Sequence, residues 1–437
     1  MKPYPRYNQS SARWYSSFPK TWSEVKAKRL FSNERERASS EDEQLAASQK
    51  YGVIPQALMM AQNNAKVMLA LKGTDNFKQV KENDFVISLR SFEGGIEHSK
   101  YNGCISPAYT VLRLRHEFSY PNYFRYALKC SPFIQALNST SEGIRDGKTI
   151  TYDEFGELLV VLPSQAEQKA IATFLDRETQ RIDSLIEEKL AFIKLLKEKR
   201  QALISHVVTK GLNPNVEMKD SGIEWIGQVP KHWGISKVRY LGQCQNGINI
   251  GGEFFGHGTP FVSYGDVYNN TSLPEQVQGL VLSTEKDRDN YSVIAGDVLF
   301  TRTSETIEEI GFSAVCKSTI EQAVFAGFLI RFRPDEGNLE VGFSEYYFRN
   351  EKLRAFFAKE MNLVTRASLS QDLLKKMPVL LPPIDEQNEI ANYLQAECDK
   401  FSEIFAETEK TIFLLKERRT SLISATVTGK IDVREAV

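Results

Sequence analysis

Arg90 and Ser91 in ENDFVISLRS, and Arg302, Thr303 and Ser304 in AGDVLFTRTS, stand just past two short apolar runs of the same pattern. Arginine can fork onto a guanine edge or onto a phosphate, and a serine or threonine hydroxyl can donate to either. Loops after strands are where such groups work, because the strand holds them still. Arg145 with Lys148 in GIRDGKT, and Arg366 in VTRASLS, add basic positions ahead of two long helical patterns. All of these are binding chemistries. Taken singly, each arginine is equally a solvated surface residue or half of a salt bridge.

Bond-breaking chemistry needs a constellation, and the chain does not spell one. NPNV at residues 213–216 has the first two letters of an amino-methyltransferase Asn-Pro-Pro-Tyr element but lacks its second proline and aromatic. It reads as a linker that stops a helix. GINIGGEFFGHG at residues 247–258 is glycine-rich but has no Lys-Ser/Thr ending, so it is a flexible surface loop and not a P-loop. The histidines His98, His116, His206, His232 and His257 have no HExxH or paired-ligand spacing. RTSETIEEIG carries acids without a nuclease pattern, and GxSxG is absent. A chain without catalysis of its own, and without a metal, is the expectation.

At 437 residues, with 41% hydrophobic and 25% charged residues, the composition is that of a globular protein with two to four domains. The start MKPYPRYNQSS has no apolar run after its lysine, so no signal peptide is expected. No stretch of about 18 apolar residues reads as a membrane span. Cys104, Cys130, Cys244, Cys316 and Cys398 are odd in number and far apart, which fits a reducing cytoplasm. The formal net charge of -1 asks any nucleic-acid binding to rely on local patches or basic partners.

The elements that must position the arginines come in two copies. LPSQAEQKAIATFL begins at Leu162, and LPPIDEQNEIANYL begins 219 positions later at Leu381. The same offset pairs Ile193 with Ile412, Leu196 with Leu415, Arg200 with Arg419 and Val208 with Val427. Each copy follows a proline, tolerated at a helix start, and the first stops at Gly211 and Pro214. Leu175, Ile182, Leu196 and Leu203 fall on a seven-residue spacing, with Leu185, Phe192 and Ile193 expected on the same face. Leu394, Phe401, Leu415 and Leu422 take the equivalent places. Each copy predicts a helix of roughly 40 residues, about 60 Å long at 1.5 Å per residue. Such a stripe asks for a partner helix.

A weaker repeat precedes each helix. WYSSFPKTWSEVKAKRL and WIGQVPKHWGISKVRYL align Trp14 with Trp225, Pro19 with Pro230 and Trp22 with Trp233; the latter pair reads as packing. VISL, YTVLRL, DVLF and FLIRF read as strands, Asp84 and Asp297 as turn residues, and Tyr-Phe-Arg recurs at residues 123–125 and 347–349. The fold class is mixed α/β (α+β): two similar globular domains alternating with two long helices. The expected boundaries are residues 1–161 for the first domain and 162–212 for the first helix. Residues 213–380 form a linker and second domain, and 381–437 the second helix.

The duplicated P-x-x-x-EQ-x-x-I helix and the PK-x-W segment resemble the specificity subunit of type I restriction–modification enzymes. So do YGVIPQ at residues 51–56 and the following RSFEGGIEHSKYNGCISPAYTVLR. The resemblance covers essentially the whole chain. It implies two target recognition domains, each reading half of a split double-stranded DNA sequence. It also implies helices that pair as an antiparallel coiled coil with a pseudo-twofold axis. Two modification subunits and restriction subunits would be the partners, in the cytoplasm and without a membrane. S-adenosylmethionine, ATP and Mg would sit on those partners and none in this chain. GGIEHS and YGVIPQ lie in the first domain only, so the half-sites would differ. Two other readings remain: a nuclease or DNA methyltransferase fusion, or a coiled-coil adaptor that reads no DNA.

Overall fold

The computed structural model describes residues 2–12, 14–39, 41–63, 76–88, 91–115, 119–140, 150–304, 309–360 and 367–435. They pack as two compact units, residues 1–189 with 409–437, and residues 190–408. The first unit holds β1 (Phe31–Glu34), β2 (Phe85–Ile87), β3 (Glu97–His98) and β4 (Thr110–Leu114). These form an antiparallel sheet in the order β1-β4-β2-β3. Helix α1 (Pro121–Ala127) follows, and then the long α2 (Gln165–Lys210). The second unit repeats the plan with β5 (Gly242–Asn246), β6 (Val298–Thr301), β7 (Ser313–Val315) and β8 (Leu329–Pro334), in the order β5-β8-β6-β7. Helix α3 (Val341–Arg349) and the long α4 (Ile384–Val427) complete it. One face of each sheet packs on its short helices, with Phe31, Phe85 and Phe124 in the first unit and Phe300, Phe332 and Phe348 in the second.

The two tryptophan-containing segments do one job each. Ser23–Lys26 pairs with Leu159–Leu162, and Gly234–Lys237 with Pro378–Leu381, the strands that lead into α2 and α4. Trp22 and Trp233 are buried beside them, as packing residues. The far end of a long helix lies against each: Gly429, after α4, approaches Trp22, and Gly211, after α2, approaches Trp233. Both glycines have φ near +75° (75° and 73°), the left-handed turn that ends a helix at little cost only for glycine. Compact packing thus divides the chain differently from the boundaries read off the sequence, since each unit takes half of each long helix. In the first unit the floor is closed by both chain ends, through a bridge between Lys2 and Asp432.

The first turns of α2 and α4 explain the repeated Glu-Gln. Ser164 and Glu167 make a reciprocal capping box, in which the Ser164 hydroxyl donates to Glu167 Oε2 at 2.8 Å. Glu167 Oε1 also accepts from Trp22 Nε1 at 3.1 Å, while Glu386 meets His232 Nε2 at 2.7 Å. The adjacent glutamines are buried. Gln168 donates to the Pro163 carbonyl at 3.0 Å and accepts from the Tyr120 N–H, just before α1, at 2.8 Å. Gln387 does the same with the Pro382 carbonyl at 3.0 Å and the Glu340 N–H, just before α3, at 2.8 Å.

The helices pair antiparallel. In the first unit Arg419 of α4 bonds Asp183 of α2 at 2.8 Å; in the second, Arg200 of α2 lies over the Phe405 ring of α4. Buried and half-buried positions step by four and three along α2, at residues 182, 186, 189, 193, 196, 200, 203 and 207. The same rhythm runs at 394, 398, 401, 405, 408, 412, 415, 419 and 422 in α4. Leu175, Ile182, Leu196, Leu203, Leu394, Phe401, Leu415 and Leu422 are all buried or half-buried along these stripes. Leu185 and Phe192 are not, because the seam continues through Ile186 and Ile193, one residue further on, and leaves them exposed.

Gln387→Ala leaves the Glu340 N–H unpaired, with an expected loss of about 1–3 kcal/mol. Amide exchange at Glu340 should accelerate and the thermal midpoint should fall, while Asn388→Ala, at an exposed neighbour, should leave both unchanged.

Candidate nucleic-acid interface

The acids taken as turn residues anchor each sheet. Asp84 is buried and accepts the Lys81 N–H at 2.7 Å, while Arg113 of β4 forks onto it at 2.8 and 2.7 Å. Asp297 is buried likewise, accepting the Ile294 N–H at 2.9 Å and both arms of Arg333 of β8 at 2.7 Å. This bidentate pair, repeated in both units, was missed. Its signal is the arginine inside VLRL and RFR. The repeated tyrosines also match in role: the Tyr123 hydroxyl donates to the Val161 carbonyl and that of Tyr347 to the Pro378 carbonyl, each at 3.1 Å. The arginines of the same motif diverge, Arg125 pairing with Asp176 and Arg349 with main-chain carbonyls such as Ser313 at 2.9 Å.

The expected site residues fall unevenly. Arg90, Arg145, Lys148 and Arg366 lie outside the described residues. Ser91 is buried and accepts the Ser88 N–H at 2.8 Å, so it closes a turn and presents no free hydroxyl. Arg302 and Thr303 are half-buried just past β6, and the Ser304 backbone pairs with Ala367. Among the described residues, no side chain pairs with the Arg302 guanidinium. Counted from the anchoring acids, Arg302 is the fifth residue on and Arg90 the sixth. By that count alone, Leu89 and not Arg90 aligns with Arg302.

The end of each sheet carries different chemistry. In the second unit the Arg302 N–H donates to the Phe328 carbonyl at 2.9 Å, one step beyond the Thr301–Leu329 pair that ends the β6–β8 ladder. Phe328 is 63% exposed. Counting back from the paired arginines, Ala108 takes its place in the first unit. There a cleft of about 340 Å³ opens, lined by Asn33, Arg35, Lys78, Ser88, Ala108 and Thr110 among others. Burial, with the nearby Arg35 charge second, pushes the Lys78 ammonium below its usual range. The sequence reading missed Phe328, Asn33, Arg35 and Lys78; an aromatic after Ala-Gly at a strand start was the available signal for Phe328.

GINIGGEFFGHG is no loose loop. Gly247 and Ile248 lie along the Phe325–Leu329 turn, and the rest enters the strand Phe255–Val262, which pairs with Leu280–Val281 and Val324–Phe325. No group of acids, histidines or cysteines able to hold a metal occurs among the described residues. The five cysteines are free, and burial pushes the Cys130 and Cys316 thiols up to about 12, away from nucleophilic use. No helix among the described residues is long and apolar enough to cross a membrane.

Residues 19–195 and 245–412 match the family described as type I restriction modification DNA specificity domain. The chain belongs to this specificity family. It is similar to the StySPI specificity subunit of Salmonella potsdam, 25% identical over 328 residues, 73% of this chain and 68% of that one. The EcoKI specificity subunit of Escherichia coli K12 is 24% identical over 334 residues, with the same coverage. A solved structure from work on "complex assembly and conformational transition of the type I R-M system" shares the fold. Its TM-score is 0.71 at 15% identity, covering 95% of this chain and 99% of that one. The HsdS subunit of Thermoanaerobacter tengcongensis gives 0.56 at 16% identity, covering 97% and 100%. In this chain the two units share the Asp–Arg anchors and the buried glutamines and differ at their sheet ends.

Asp297→Asn removes the charge that faces Arg333 inside the second sheet. A loss of about 2–3 kcal/mol is expected, as for a hydrogen-bonded buried charge. Urea unfolding followed by tryptophan fluorescence should show it as a lowered midpoint with an unchanged slope.

Proposed function

We propose that this chain reads a bipartite double-stranded DNA target, one unit per half-site, and docks modification and restriction subunits that do the chemistry. The single observation that carries the reading is the pair of sheet ends. The same sheet, held by the same internal anchors, ends in one unit in an arginine with no side-chain partner among the described residues, beside an exposed phenyl ring, and in the other in a polar cleft lined by Arg35, Lys78 and Asp153. A scaffold that needed only to hold partners would not require two different rims. The near-neutral net charge of -1 fits a subunit whose partners supply much of the phosphate contact, since salt-dependent affinity scales with phosphates neutralised.

In this reading the eight stripe residues serve the pairing of the long helices, and partner subunits meet the outward faces, where Leu195 and Leu414 are 62% and 56% exposed. In this reading S-adenosylmethionine, ATP and Mg²⁺ belong to the partners, the complex works in the cytoplasm, and this chain contributes position. Incubated alone with DNA and S-adenosylmethionine, the chain should transfer no methyl groups. Adding the modification subunits should start adenine methylation at a split motif. Robust transfer by the isolated chain would show that it is itself a methyltransferase.

Arg302 is the base-reading candidate of the second unit. Arg302→Ala in the reconstituted complex should cost about 1–3 kcal/mol and relax one position of one half-site, measured by methylation motif sequencing. Uniform weakening with a shallower salt slope would place the guanidinium on a phosphate. Unchanged affinity and motif would make it a surface residue.

A further inference from the structure

A large apolar side chain left mostly exposed, on a turn held by main-chain bonds, is a poor fold element and a good reader. Phe328 is such a residue. Outside the long helices only Tyr240, at 68%, is a more exposed large hydrophobic among the described residues, and Arg239 lies over its ring. Among the described residues, no cation lies over the Phe328 ring.

The turn that bears it is held from every side by main-chain bonds. The Ile248 N–H donates to the Phe325 carbonyl at 2.9 Å, and the Ala326 N–H to Val262 at 3.0 Å. The Leu329 N–H closes back on Ala326 at 2.9 Å, and Arg302 takes the Phe328 carbonyl at 2.9 Å. Gly247 lies so close that a Cβ there would stand 2.2 Å from the Ala326 oxygen. Beneath the turn, Arg331 is buried over the Phe325 ring and donates to Gln245 Oε1 and the Ser292 carbonyl at 2.5 Å. The ring is therefore presented, and its neighbour across the ladder is Arg302, whose guanidinium has no side-chain partner among the described residues. Cross-strand neighbours in register have Cβ atoms about 5 Å apart, so the two side chains address adjacent features of one surface.

A phenyl ring has no donor or acceptor to offer a base edge. The apolar feature that a base pair shows in the major groove is the thymine 5-methyl group, and phenylalanine is among its known partners. An inserted wedge is the other apolar mode, but it unstacks a base step whatever its sequence and bends the duplex. A ring paired with a fork-shaped arginine fits edge reading better.

Resting on the DNA-reading function above, we propose that Phe328 is a specificity-determining residue of the second unit, packing on a thymine methyl group next to the base pair that Arg302 addresses. The first unit, with Ala108 in this place and a polar cleft behind it, reads its half-site by hydrogen bonds.

The test uses the reconstituted complex with its modification subunits. Wild-type complex first defines the split motif; failure to find one would sink the DNA-reading function itself and not this assignment. Oligonucleotides carrying deoxyuridine for thymidine, one position at a time, then ask where a methyl group matters. Methylation by wild type should fall about 5- to 10-fold at one thymine of one half-site. Phe328→Ala should show a similar fall on the normal substrate, no further fall with deoxyuridine there, and an unchanged other half-site. Phe328→Leu, still apolar, should retain part of the preference, and thermal midpoints should match wild type because the side chain is exposed. A Phe328→Ala complex that still senses deoxyuridine, loses activity equally on all sequences, or behaves as wild type overturns the assignment.

Discussion

A backbone N–H turned partly away from water needs an acceptor, and at the entrance to each short helix that acceptor is a buried glutamine of a long one. Tyr120 and Glu340 hand their N–H groups to Gln168 and Gln387, whose amides are fixed in turn by Pro163 and Pro382. An unmet buried donor costs about 1–3 kcal/mol, comparable to the whole contribution of a good surface substitution and larger than any exposed ion pair here. The neighbouring glutamate holds the tryptophan segment, through Trp22 in one unit and His232 in the other. Two consecutive residues thus fix sheet, short helix and N-terminal segment to one helix turn. Everything the units present outward is referred to that turn.

Inside the sheets a second fixed element does the same for the strands. Asp84–Arg113 and Asp297–Arg333 each join two neighbouring strands by a doubled, charge-assisted bond around an acid that water does not reach. A pair of this kind adds little net stability compared with apolar packing, yet breaking it is costly, so its effect is to forbid other registers. A strand that slipped by one residue would leave the acid buried alone. Register fixed at Asp297 is what carries Arg302 to the open end of the ladder.

The parts legible in the sequence are those whose signal is local or repeated. The long helices, their proline starts and glycine stops, and the strand runs are present as read, because capping and periodic spacing involve residues close along the chain. Leu185 and Phe192 were misplaced because two apolar residues in succession, Phe192 and Ile193, cannot both face the partner. The choice depends on Arg200 and Arg419 lying in the seam, which no apolar count predicts. Ser91 looked available because a hydroxyl after a strand gives no sign that it will fold back onto Ser88. The exposure of Phe328 and the cleft around Lys78 could not be read from the sequence for a different reason. They are defined by what fails to cover them, and that depends on strands far apart in sequence. Arg90 lies outside the described residues; counted from the acid anchors it falls one position beyond the place of Arg302.

How such a protein can change what it reads without refolding follows from the kinds of bonds involved. The Phe325–Leu329 turn is held almost wholly by main-chain donors and acceptors, which any residue supplies. Replacing the side chain at Phe328, or its counterpart at Ala108, removes none of those bonds and buries no new polar group. The costs that make core substitutions destructive, a cavity or an unmet donor, do not arise at an exposed position on a main-chain scaffold. Constancy resides in buried side chains that satisfy backbone, variation in exposed side chains that backbone supports. Two units built to that rule can diverge in surface as far as Arg302 and Phe328 do from Lys78 and Asn33 while keeping one fold.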